Sequence, residues 1–99
     1  MRLRWTRPAL AHIAEISAYI RRDSPAAARR AVEQIRQDAE HLRLHPLFGR
    51  AGRIEETREL VVSRFPYIIA YRLSDADTVE ILAILHDARE WPKGFDSTR

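Results

Sequence analysis

The chain has 99 residues, 45% of them hydrophobic and 31% charged. That is enough apolar side chain for one core, too little length for two domains, and a folded rather than a disordered balance. The formal net charge is +3 and the sequence pI about 9.9, so acidic proteins and nucleic acids are the partners that its field favours.

No apolar run approaches the roughly 20 residues of a membrane span. The N-terminus "MRLRWTRPAL" lacks the apolar centre of a secretory signal. Without cysteine there are no disulfides and no thiolate metal sites. A cytoplasmic protein with no membrane contact is expected. Lys93 is the only lysine among the 17 Lys and Arg residues, and arginine is the side chain suited to bidentate carboxylate and phosphate contacts.

Residues 2–5, "RLRW", read as a short strand with Leu3 and Trp5 on one face. Thr6 is the expected N-cap of a helix running to about Arg22, with Pro8 in its first turn and Leu10, Ile13, Ile16 and Ile20 on one stripe. In "DSPAAA", Ser24 caps and Pro25 opens a second helix that extends to about Leu44. Ala28, Val32, Ile35, Ala39 and Leu42 share its buried face, whereas Arg29, Arg30, Glu33, Arg36, Gln37 and Glu40 form a solvated one. His45-Pro46 ends the helix, and "PLFGRAGRIEET" is the longest irregular segment. Three strands follow, at 58–64, 67–73 and 78–86, joined by turns at Phe65-Pro66 and "SDAD". The fold class is therefore α+β, in the order β-α-α-β-β-β, with a helical hairpin packed on a mainly antiparallel sheet.

Strict alternation puts Val79, Ile81, Ala83 and Leu85 on one face of the last strand and Leu82 and Ile84 on the other. In the strand before it, Ile69, Tyr71 and Leu73 oppose Ile68 and Ala70. Two helices cover only one sheet face, so the second apolar face needs further cover, either Trp91 and Phe95 of the chain itself or another protein.

The last strand runs straight into "HDAREWP", which places His86, Asp87 and Arg89 at the sheet end. His86 has the titration range of a general acid or base, and Arg89 suits charge developing on phosphate. Arg50, Arg53, Arg58, Arg64 and Arg72 form a candidate basic patch, opposed by possible pairing to Glu55, Glu56 and Glu59. His41 and His45 have a metal-compatible spacing, but no third ligand follows. No phosphate loop, dinucleotide fingerprint or nucleophile elbow is present, so neither a cofactor nor a metal is expected.

The opening strand "LRWT", the helical hairpin, "HPLFGRAGRIEETREL", "YIIAYRL" and "VEILAILHDAREWP" together resemble the ParE/RelE superfamily of type II toxin–antitoxin toxins, also called plasmid stabilisation proteins. The resemblance spans about residues 2–92 and implies one RelE/ParE-like domain over 1–99. It also implies a ParD-like or RelB-like antitoxin that forms a hetero-oligomer with the toxin. RelE-like members cleave messenger RNA on the ribosome; ParE-like members are associated with DNA gyrase.

A RelE-like nuclease set would here comprise Arg58, Arg72, His86 and Arg89. That set is partial, because Leu60, Val62 and Ile68 stand where basic residues are expected. The resemblance thus favours the ParE-like branch and no catalytic residues. The candidate target or antitoxin contacts are Arg58, Ile68, Arg72, Leu82, His86, Asp87, Arg89 and Trp91. The ribosome-dependent endonuclease and a non-toxic, antitoxin-binding member are the alternatives.

Overall fold

Thr6 starts the first helix and ties it to the sheet at the same time. Its backbone is extended, its Oγ1 accepts the Ala9 amide at 3.3 Å, and the same hydroxyl donates to the Ile81 carbonyl at 2.8 Å. The computed structural model describes residues 1–75 and 77–87. The elements in chain order are β1 (Arg2–Trp5), α1 (Arg7–Arg21), α2 (Pro25–Leu44), β2 (Arg50–Ala51), β3 (Arg58–Val61), β4 (Tyr67–Asp75) and β5 (Thr78–His86). Ser24 caps α2 by accepting the Ala27 amide at 3.1 Å. The small buried Ala28, Ala31 and Ala39 let α2 lie close to α1 and to the sheet.

The strands form one mixed sheet in the order β1-β5-β4-β3-β2. β1 runs parallel to β5 and every other pair is antiparallel. The helices pack on one face, over a core in which Ile35, Leu42, Ile69, Tyr71, Val79 and Ile81 are fully buried. Among the described residues no helix is long and apolar enough to cross a membrane.

Three differences from the sequence expectation have physical causes. β2 is a two-residue strand inside the segment read as irregular, held by pairing with Arg58 and Glu59. β3 stops at Val61 rather than residue 64, because Asp38 of α2 accepts the Ser63 amide at 2.8 Å and Arg64 turns the chain at φ 71°.

The third difference is a β-bulge. Ala70 pairs with Ala83, but Tyr71 pairs with Ile81, so Leu82 is the extra residue. Alternation restarts beyond it. Ile84 joins the helix-side core, whereas Ala83 and Leu85 join Ile68 and Ala70 in a separate buried cluster on the other face. The strict alternation of Val79, Ile81, Ala83 and Leu85 is therefore corrected.

Candidate functional site

A row of alternating charge crosses the sheet on the face away from the helices. Register places Arg4, Glu80, Arg72, Glu59 and Arg50 on that face, one from each strand. Both carboxylates are nearly inaccessible, Glu80 at 2% and Glu59 at 3% exposure. Glu80 is clamped by Arg4 and by Arg72, whose Nε donates to Oε1 at 2.7 Å. Glu59 accepts the Arg53 backbone amide at 3.0 Å and the Arg53 Nε at 3.1 Å, and Arg50 approaches at 3.6 Å. An isolated buried carboxylate costs several kcal/mol, so these arginines are needed where they are. Each carboxylate nevertheless meets two guanidiniums, which leaves the face positive.

The loop between α2 and β3 is anchored on the opposite face. Buried Tyr71 accepts the Gly49 amide through its hydroxyl at 2.8 Å and donates to the Pro46 carbonyl at 2.8 Å. Burial raises the Tyr71 pKa above its usual value, against the smaller opposing effects of the Gly49 hydrogen bond and Arg58. Arg58 donates to the Gly49 carbonyl at 2.7 Å and the Leu47 carbonyl at 3.3 Å.

The residues singled out from the sequence therefore do not converge. Arg58 stands opposite Tyr71 on the helix-side face, and Arg72 stands opposite Glu80 on the other. His86 stands opposite Tyr67, edge-on to its ring at 5.7 Å between centroids. The positions facing His86 and Arg58 on β4, Tyr67 and Tyr71, are about 13 Å apart along the strand. His86 Nδ1 lies 3.4 Å from Asp87 Oδ1, and both side chains are partly exposed. Ile68 and Leu82 are buried within the chain. Arg89, Trp91 and Phe95 lie outside the described residues. His41 and His45 stack at 4.7 Å, and Phe48 sits edge-on to His41.

One residue missed in the sequence is His12. Its Nδ1 accepts the Ile84 amide at 3.2 Å, which joins α1 to β5 two residues past the bulge. Its position beside Ile13 in the apolar stripe was the available signal. Burial lowers its pKa below the ordinary 6.5, and the nearby Glu15 carboxylate partly opposes this. A lowered folded pKa means that the unfolded chain takes up the proton first. The stabilisation is therefore complete above pH 6.5 and is lost as the pH falls through the folded pKa. Urea melts between pH 7.5 and 5 should show a fall in stability that His12→Ala removes. An unchanged pH slope in that variant would contradict the assignment.

Comparisons with known proteins agree with this architecture. The family model described as "ParE toxin of type II toxin-antitoxin system, parDE" matches residues 3–91. A putative toxin, Y4kP, of Sinorhizobium fredii (strain NBRC 101917 / NGR234) is 48% identical over 92 residues, covering 93% of this chain and 94% of the relative. A solved structure described as the chromosomal ParDE TA system from P. aeruginosa superposes with a TM-score of 0.76 at 28% identity. That match covers 87% of this chain and 95% of the other. With the family model spanning nearly the whole sequence and a relative close to half identical, the chain belongs to the ParE toxin family of type II toxin–antitoxin systems.

Proposed function

We propose that this ParE-type toxin arrests growth by binding DNA gyrase, without chemistry of its own, and that an antitoxin encoded beside it holds it inactive. The observation that carries the reading is the commitment of the arginines. A nuclease needs guanidiniums turned toward one phosphate and a proton-transfer group within hydrogen-bond reach of the reacting oxygen. Here Arg72, Arg50 and Arg53 are engaged by Glu80 and Glu59, and Arg58 by loop carbonyls. The position facing His86 on β4 is about 13 Å from the one facing Arg58. A binding toxin needs only a shaped, charged surface, and this sheet provides one with surplus positive charge. An intracellular target also suits a cytoplasmic location.

The direct test is supercoiling of relaxed plasmid by purified gyrase with and without the protein. Loss of supercoiling or a trapped cleavage complex is expected, with His86→Ala as potent as the parent. Normal supercoiling at concentrations that stop growth, together with cleaved messenger RNA on programmed ribosomes, would move the assignment to an endoribonuclease. In that case His86→Ala should lose roughly 10²-fold or more of the cleavage rate.

A further inference from the structure

The end of α2 carries two imidazoles side by side. His41 lies in the last turn and His45 is the C-cap, and the His45 amide donates to the His41 carbonyl at 3.1 Å, so one helical turn separates them. Both residues are exposed. The loop beyond holds them in place. The Phe48 amide donates to the His45 carbonyl at 3.0 Å, and the Phe48 ring meets His41 edge-on at 5.1 Å. The ring centres of the pair lie 4.7 Å apart, with their planes inclined by 32°. A zinc ion bonded at about 2.0–2.1 Å to one nitrogen of each ring lies about 3.2 Å from each ring centre. Angles of about 90–109° at the metal then separate the centres by about 4.5–5.2 Å, a range that contains the observed spacing.

Two nitrogens are half of what zinc takes, and among the described residues no third ligand joins the pair. Arg43, between the two histidines in sequence, is committed elsewhere: it donates to Glu40 at 2.8 Å and to the Met1 carbonyl at 3.1 Å. What flanks the pair along the chain is apolar. Leu44, Leu47 and Phe48 are 77%, 62% and 64% exposed.

We propose that His41 and His45 are half of a zinc site that a second copy of this chain completes with the same two histidines. A two-fold contact is self-complementary, so it brings both pairs to one metal and builds the four-nitrogen tetrahedron that zinc prefers. Leu44, Leu47 and Phe48 of both copies then close around the metal. Imidazole ligands without a carboxylate select zinc over magnesium or calcium. An unrelated protein is the poorer occupant, because it would have to present two histidines of its own at matching spacing. Three apolar side chains per copy fall short of the roughly 800 Å² per partner of a standard interface, so the metal-free chain stays a monomer. The site rests on the end of α2 and is independent of the gyrase reading.

The test is sedimentation of the full, untagged chain, stripped of metal with a chelator and then titrated with zinc. The mass should double from 11.5 kDa as zinc approaches one per two chains, return on addition of EDTA, and ignore magnesium. Cobalt in place of zinc should give the intense visible bands of tetrahedral coordination at the same ratio. His41→Ala and His45→Ala, both at exposed positions, should each stay monomeric. Leu47→Asp should raise the zinc needed for half-dimerisation roughly tenfold or more. If an alanine variant does not fold by circular dichroism, the cobalt spectrum of the parent decides. No binding, zinc bound at one per chain without a change of mass, or a weak octahedral cobalt spectrum would each overturn the proposal. So would doubling of mass without metal, or doubling that both alanine variants retain.

Discussion

Tyr71→Ala should lower the unfolding free energy by about 3–5 kcal/mol, the usual cost of truncating a fully buried aromatic side chain. Domains of this size hold only about 5–15 kcal/mol in total, so the variant sits near the limit of folding. Tyr71 is the largest of the fully buried side chains and lies between the helix-side core and the loop. Tyr71→Phe separates the two roles. It keeps the ring but orphans the Gly49 amide and the Pro46 carbonyl, at about 1–3 kcal/mol. Its effect should appear as faster hydrogen exchange at Gly49, with the amides of β4 and β5 unchanged. Gly49→Ala tests the contact from the other side, because an added Cβ would lie 2.7 Å from the Tyr71 hydroxyl and 2.9 Å from the Glu59 carbonyl. Equal stability of all three variants and the parent would show that the loop is not anchored this way.

The double substitution Arg4→Ala with Arg72→Ala should cost about 3 kcal/mol, because it leaves Glu80 buried without a cation. That figure is at the low end for a broken buried pair, since both guanidiniums are partly solvated already. Either single substitution should cost much less while the second arginine remains. Replacing Glu80 by Leu in the double variant should recover most of the loss, as the desolvated charge is then gone. Chemical denaturation of the parent and the four variants closes the cycle and reads the recovery. A double variant no less stable than the sum of its singles, with no recovery by Glu80→Leu, would mean that Glu80 is not held by this pair.

Local chemistry made much of the fold legible. Thr6 and Ser24 cap as their sequence contexts require, α2 buries its predicted face, and β1 and β5 have the expected bounds; in α1 Ile13 is buried and Ile16 and Ile20 half-buried, but Leu10 is exposed and Ala9 takes the buried place. What escaped depends on partners distant in sequence. β2 exists only because Glu59 and Arg58 offer it a ladder and Glu59 gathers Arg50 and Arg53. The basic patch read from Arg50, Arg53 and Arg72 was chemically sound as composition. It could not show that two buried glutamates on different strands would engage those side chains. Glu80 sits inside "TVEILAILH" like an interruption of an apolar run, and only the pairing with Arg72 and Arg4 explains it. The parity of β5 was unreadable for a similar reason. A bulge adds one residue to one strand, and nothing in "ILAIL" marks which residue that is.

The bulge at Leu82 also fixes the direction in which the end of β5 looks. Because one residue is absorbed there, His86 emerges beside Tyr67 on the helix side. Losing the Leu82 codon would leave every face beyond it unchanged, because Ile81 and Ala83 already pair with the adjacent Tyr71 and Ala70 and the two strands would close into a regular ladder. His86 would still meet Tyr67 and Leu85 would still meet Ile68. In a lineage of such toxins, a one-residue change of length here can thus pass without altering what the sheet end presents to a target.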